Sequence, residues 1–74
     1  MFNVEKWLSD TAPKIVRENE LQEAARILND RLAHLAKHHD FSVTRRLEVS
    51  TSGREVRVQI QRSGKAREWT GTAF

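Results

Sequence analysis

The stretch LEVSTSGREVRVQIQRSGKAREW, residues 47–69, decides the fold. It contains two Ser-Gly pairs, Ser52-Gly53 and Ser63-Gly64, and each separates runs in which apolar and polar residues alternate. Alternation with a period of two is typical of half-buried β-strands, and a short Gly-containing break between two such runs is typical of a hairpin turn. The sequence therefore predicts a three-stranded antiparallel sheet, with strands over about residues 41–50, 54–62 and 66–74.

Two-residue turns at both Ser-Gly pairs fix the predicted register, because a slip of one residue moves every side chain to the other face. On the side that faces the helices, the predicted pairs are Val49 with Val56, Leu47 with Val58, Val58 with Trp69, Val56 with Gly71, Arg45 with Ile60, Ile60 with Arg67, and Val43 with Arg62. On the outer side they are Glu48 with Arg57, Arg57 with Thr70, Arg46 with Gln59, and Gln59 with Glu68.

Apolar residues at helical spacing precede the strands and predict two helices, over about residues 4–18 and 20–38. Asn3 is suited to cap the first helix, with Phe2 packing before it as a hydrophobic staple. Pro13 predicts a kink or break in that helix near residues 9–12, with Asp10 or Thr11 capping the second piece. For the second helix, Asn19 followed by Gln22 resembles a capping box.

The predicted architecture is a single α+β domain of order α-α-β-β-β, with both helices packed on one face of an antiparallel meander. Its predicted core is Trp7, Leu8, Ile15, Leu21, Leu28, Leu32, Leu35, Leu47, Val49, Val56, Val58, Ile60 and Trp69. A chain of 74 residues buries a modest fraction of its surface, and it contains no cysteine that could add a disulfide. Self-association is one remaining way to bury more area, and a homodimer is one of the expected states.

Charge is concentrated in the predicted sheet. The net charge is +3, and residues 41–74 hold seven Lys/Arg against three Asp/Glu, whereas residues 1–40 hold six against seven. On the predicted register, Arg45, Arg62, Lys65 and Arg67 gather at one end of the helix-facing side, near His38 and His39. This group is a candidate site for phosphate or for an acidic partner. The alternative is structural, with the arginines paired to Asp30, Asp40 or Glu68.

The third predicted strand is an edge, and Thr70, Thr72 and Phe74 lie in the part that follows its last charge, Glu68. An edge without charges favours pairing with a strand of another chain. These residues are therefore a candidate edge-strand interface, either with a different protein or with a second copy of this chain.

Catalytic motifs are missing from the sequence, which has no Gly-rich phosphate loop, no cysteine and no tyrosine. Asp30, His34 and His38 share a helix stripe, but without a further strong ligand we expect no metal, and we expect no cofactor. The sequence favours a non-enzymatic protein-interaction module, such as a small regulator, adaptor or inhibitor. The alternative is a nucleic-acid-binding protein that contacts phosphates through the basic patch. With no long apolar stretch or signal peptide visible, we expect no membrane partner and a cytoplasmic location.

Overall fold

The computed structural model describes residues 2–52 and 55–72, and within them the chain forms two helices followed by three strands. The elements are α1 (Val4–Glu18), α2 (Leu21–His38), β1 (Ser42–Val49), β2 (Glu55–Arg62) and β3 (Lys65–Thr72). The strands form an antiparallel sheet of order β1-β2-β3. Helix α2 packs against β1, and α1 lies against α2 and β3. The predicted α-α-β-β-β architecture is confirmed.

Helix α1 begins as predicted but is not broken. The Asn3 side chain accepts a hydrogen bond from the Lys6 backbone N–H at 3.1 Å, which caps the first turn. The helix then continues through Pro13 to Glu18, so of the predicted kink or break the break is wrong, and so is the second cap at Asp10 or Thr11. Proline removes one backbone donor, which would have bonded the Ser9 carbonyl. Since Ser9 is exposed, water can hydrate that carbonyl.

Asn19 ends α1 and does not begin α2. Its side-chain amide donates to the Ile15 carbonyl at 2.9 Å, which satisfies one of the carbonyls left over at the end of α1. Glu20 is the N-cap of α2, and its side chain makes no capping hydrogen bond. The predicted capping box of Asn19 with Gln22 is therefore wrong, because Asn19 is already committed to the preceding helix.

The second hairpin has the predicted turn and register. Ser63 and Gly64 both have positive φ, 52° and 78°, as a type I′ turn requires. All predicted β2–β3 pairs are confirmed, from Ile60 opposite Arg67 to Val56 opposite Gly71. A two-residue turn of this type matches the right-handed twist of the strands, which explains why the ladder runs to its end without interruption.

The first hairpin follows the predicted register only near its turn. Val49 lies opposite Val56 and Glu48 opposite Arg57, as predicted, whereas Gly53 lies outside the described residues. Farther along, the register shifts twice, between Glu48 and Arg45 and again between Arg45 and Val43. At each shift β1 contains one residue more than β2, as in a β-bulge.

The bulges change the predicted pairs beyond Glu48. Arg45 lies opposite Gln59, and Val43 lies opposite Ile60. The physical reason is that this register sets apolar Val43 opposite the buried Ile60, where the predicted register would have set the charged Arg45. The predicted pair of Leu47 with Val58 gives way to a bulge in which Arg46 and Leu47 share that one partner position. The predicted pairs that are wrong are Arg45 with Ile60, Arg46 with Gln59, and Val43 with Arg62.

The core lies between the helices and the inner face of the sheet. Helix α1 contributes a stripe at every fourth residue, and α2 contributes a shorter one. The buried residues are Val4, Leu8, Ala12, Val16, Ala24, Leu28, Leu32, Phe41, Leu47, Val56, Val58 and Ile60. The six other predicted core residues are only partly buried at the margin: Trp7, Ile15, Leu21, Leu35, Val49 and Trp69.

Trp69 and Gly71 are coupled on the inner side of β3. A methyl group at Gly71 would lie 2.5 Å from Cη2 of the Trp69 ring, far inside van der Waals contact. The indole ring therefore lies flat across the glycine, and this close approach requires the absence of a side chain at position 71.

We expect Leu32→Ala to destabilise the domain by about 2–5 kcal/mol, because Leu32 is fully buried and its removal leaves a cavity. Urea denaturation followed by circular dichroism measures the change. The matched control is Ala33→Ser, one residue along on the exposed side of the same helix, which should change stability by less than about 0.5 kcal/mol. Equal effects of the two substitutions would contradict the packing described.

Candidate interaction surfaces

The predicted cluster of Arg45, Arg62, Lys65 and Arg67 does not form one site. The bulges place Arg45 on the outer face of the sheet, where it lines a hollow with Arg46 and Arg57. The other three residues remain at the hairpin end of the helix-facing side. The sheet itself thus separates the guanidinium of Arg45 from the rest of the predicted cluster.

Arg62 and Arg67 bind the start of α1. Arg62 Nη2 donates to the Phe2 carbonyl at 3.1 Å, and Arg67 Nη1 lies 3.6 Å from Glu5 Oε2. The side chain of Arg67 is 61% exposed, so its ion pair contributes at most about 1 kcal/mol. Both arginines are thus engaged structurally, but with Phe2 and Glu5 and not with Asp30, Asp40 or Glu68 as the sequence suggested.

His38 and His39 are exposed at the end of α2, and Lys65 is exposed beside the second turn. The ring of Phe2 stacks on His39, with centroids 4.3 Å apart, and lies 6.3 Å from the ring of Phe41. This stack joins the residue before α1 to the connection after α2. His39 therefore has a packing role at the end of α2.

The outer face of the sheet carries mixed charge. A hollow of about 140 Å³ is lined by Arg45, Arg46, Glu48, Arg57, Val58, Gln59 and Glu68. Arg57 Nε lies 2.9 Å from Glu55 Oε1, and Gln59 donates to Glu68 at 3.2 Å. The carboxylates of Glu55 and Glu68 are thus occupied by neighbours, and neither α1 nor α2 contributes a residue to the hollow.

The free edge of β1 is closed by a side chain of α2. Asn29 Oδ1 accepts from the Leu47 N–H at 2.8 Å, and Asn29 Nδ2 donates to the Leu47 carbonyl at 3.0 Å and to the Ala25 carbonyl at 2.9 Å. The amide thus binds the strand as a neighbouring strand would. Sequence reasoning missed Asn29, although it is a polar residue within the apolar stripe of Leu21, Ala25 and Leu32.

A groove runs between α2 and β1 on both sides of Asn29. It consists of two adjoining hollows of about 590 and 550 Å³, which share Arg26, Asn29 and Arg46. At its rim, hydrogen bonds from Arg26 lower the pKa of the Glu23 carboxyl below its usual value, and the same bonds raise the pKa of Arg26. The groove is open to solvent, and the Asn29 amide interrupts the backbone edge beside it.

The edge of β3 is open by comparison. In a two-residue hairpin the pair that flanks the turn, Arg62 and Lys65, is hydrogen-bonded, and bonded pairs then alternate along the ladder. Ala66, Glu68 and Thr70 fall at the alternate positions, so their backbone N–H and C=O groups point away from β2. In agreement, Glu55 accepts from the Ser50 N–H on the side of β1, away from its β3 partner Thr72.

The predicted edge-strand residues lie at the far end of this strand. Thr70 is exposed, Thr72 is the last residue of β3, and Phe74 lies outside the described residues. Eight residues of strand span about 26 Å, which is comparable with the longest dimension of the molecule, 33 Å. Among residues 2–52 and 55–72, no strand pairs with this edge.

Metal sites and membrane-spanning helices are two further features for which the described part of the chain was searched. There, no three His, Asp or Glu side chains are grouped so that they could hold a metal ion. Neither of the two helices described is long and apolar enough to cross a membrane. Comparison of the chain with protein-family models, with curated proteins and with solved structures yields no match.

We expect Asn29→Ala to cost about 1–3 kcal/mol, because it leaves the half-buried N–H and C=O of Leu47 without their partner. Hydrogen exchange at the Leu47 amide should accelerate more than exchange in β3. His34→Ala, an exposed site on the same helix, is the control and should leave both quantities unchanged. An unchanged Leu47 amide in Asn29→Ala would rule out this role of Asn29.

Proposed function

We propose that this chain is a non-enzymatic protein-interaction module that binds an extended segment of another protein chain along the free edge of β3. The observation that carries the proposal is the row of outward backbone groups at Ala66, Glu68 and Thr70. Such groups form main-chain hydrogen bonds with an added strand, which is a general mode of peptide recognition.

The side chains of β3 give the proposed site its selectivity. An added strand would pass Glu68 and Thr70 on the outer face and Arg67 and Trp69 on the inner face, since side chains alternate along β3. Opposite charges and aromatic pairs stabilise neighbouring strands by about 0.2–1 kcal/mol each. The favoured ligand therefore has an acidic residue beside Arg67, an apolar residue beside Trp69, and no acidic residue beside Glu68.

Thr70→Pro tests the proposal at the backbone. Proline removes the outward N–H of Thr70 and leaves the bonds between β2 and β3 in place, since that N–H takes no part in them. Linear peptides selected from a random library on the wild-type protein should bind Thr70→Pro at least tenfold more weakly. Bound peptides should also slow hydrogen exchange at the Glu68 and Thr70 amides of the wild type.

Thr70→Val is the matched control, because it keeps the N–H and a β-branched side chain, and it should bind the selected peptides as the wild type does. Thr70→Lys provides a second test if Thr70→Pro unfolds, since a charge on the edge opposes strand addition. Circular dichroism establishes that each variant is folded. Peptide binding that none of these substitutions changes would overturn the proposal.

A second candidate function is binding of nucleic-acid phosphates by the outer face of the sheet. The observation in its favour is that Arg45, Arg46 and Arg57 line one hollow of the sheet to which neither helix contributes a residue. Guanidinium groups suit phosphate oxygens, but Glu48 and Glu68 line the same hollow and oppose a polyanion. Within the described strand residues, 42–49, 55–62 and 65–72, this face also presents none of the aromatic side chains on which RNA-binding sheets stack bases.

We expect fluorescence anisotropy with labelled single-stranded and double-stranded oligonucleotides to separate the two functions. If phosphates bind the outer face, Arg45→Gln with Arg46→Gln should weaken binding and lower the salt slope by about 0.7–0.9 for each phosphate that the variant no longer neutralises. Arg31→Gln, an exposed position on α2, is the control. The absence of binding at low salt would exclude this second function and leave the edge of β3.

A further inference from the structure

We propose that the strand that pairs with β3 is β3 of a second copy, antiparallel across a two-fold axis at Trp69 or Thr70. This inference rests on the proposed function and names its partner. It starts from the regularity of β3, which pairs with β2 over Glu55–Arg62 and Lys65–Thr72 without a register shift. A regular strand has the twist that a second copy of itself matches, and such a pairing is closed by its own symmetry.

Backbone geometry limits the registers. The backbone N–H and C=O groups that point outward from β3 lie at even-numbered residues. Even-numbered residues of one copy must therefore pair with even-numbered residues of the other. In such a register the two-fold axis passes through a residue and not between two residues. An axis at Ala66 sets Lys65 opposite Arg67 of the other copy. An axis at Arg67 or Glu68 sets that residue opposite its own copy. Each of these three registers places like charges directly opposite, which destabilises a sheet.

Axes at Trp69 or beyond set no like charges opposite each other, and the two that keep the longest paired stretch lie at Trp69 and Thr70. An axis at Trp69 sets Glu68 opposite Thr70 and Arg67 opposite Gly71. An axis at Thr70 sets Trp69 opposite Gly71 and Glu68 opposite Thr72. Axes beyond Thr70 shorten the paired stretch. In both registers the charged residues of one copy face uncharged residues of the other, so the two charged halves of β3 do not meet each other.

Trp69 gives these registers their apolar contact. Its ring is only partly buried and lies across Gly71, so part of the indole remains exposed on the inner side of the edge strand. In one register it meets Trp69 of the other copy, and in the other it meets Gly71. Either contact covers the ring, and aromatic pairs contribute beyond the area they bury. Strand pairing with one aromatic contact is a small interface, so the dimer should dissociate on dilution.

Sedimentation velocity over a range of protein concentrations tests for the dimer. We expect the wild type and Thr70→Val to associate, and we expect Thr70→Pro to lower the association constant at least tenfold while circular dichroism stays unchanged. A wild type that is monomeric at every concentration overturns the inference. So does a dimer that neither Thr70→Pro nor Thr70→Lys weakens.

Single cysteines then identify the register, because the chain has none of its own. In a redox buffer, Thr70→Cys should form a disulfide with itself only if the axis lies at Thr70. A mixture of Glu68→Cys and Thr70→Cys should form a mixed disulfide only if the axis lies at Trp69, since a disulfide needs Cα atoms about 4.4–6.8 Å apart. Thr44→Cys reports on the opposite edge, and its preferential cross-linking would overturn the inference.

The outcomes also separate this inference from the proposed function. A monomeric wild type that binds selected peptides in a manner sensitive to Thr70→Pro overturns only the second copy as partner. Failure of both peptide binding and association overturns the two proposals together.

Discussion

The pair of hydrogen bonds between the Asn29 side chain and the backbone of Leu47 is the constraint on which the rest of the structure depends. The Asn29 side-chain amide accepts from the Leu47 N–H at 2.8 Å and donates to the Leu47 carbonyl at 3.0 Å. Leu47 lies where β1 holds an extra residue, its backbone groups bond to Asn29 of α2, and its side chain lies in the core. One polar side chain thus ties α2 to β1 and occupies the edge of β1 beside the first register shift. The register shifts, in turn, decide on which face of the sheet Arg45 lies.

The difference between the two hairpins shows which parts of this fold local sequence determines. The β2–β3 ladder was predictable because Ser63-Gly64 adopts positive φ at both residues, and that geometry sets the register of every pair that follows. The β1–β2 ladder followed the same rule only as far as Glu48. The register shifts beyond Glu48 are indicated by no turn residue, and the contact of Asn29 with Leu47 at the first shift is a tertiary one. The one local signal was Arg45 itself, a charge at an apolar position of the alternation. A charged residue at a position where the alternation calls for an apolar one indicates that the register changes nearby.

The candidate sites differ in how far they depend on register. The basic cluster required one exact set of strand pairs as well as a free end of the sheet, and neither condition is met. The bulges moved Arg45, and the start of α1 engages Arg62 and Arg67, at distances of 3.1 and 3.6 Å. The position of α1 follows from its stripe on the core, of which Leu8 was predicted and Val4 was not, whereas Trp7 and Ile15 were expected in the core and lie at its margin. The edge of β3, by contrast, needed only the strand order and the second turn.

The two edges of this small sheet differ in how far they are protected from the addition of another strand, and that difference bears on function. The edge of β1 carries two register shifts, charged side chains and a covering amide, which are three of the means by which proteins prevent strand addition. The edge of β3 carries charge only in its first half, and its second half consists of Trp69, two threonines and a glycine. Gly71 weakens a strand unless something requires close approach, and here the indole of Trp69 does. One edge of the sheet is closed by a half-buried amide, and the other is regular. This contrast is a physical basis for strand pairing at the edge of β3 and not at the edge of β1.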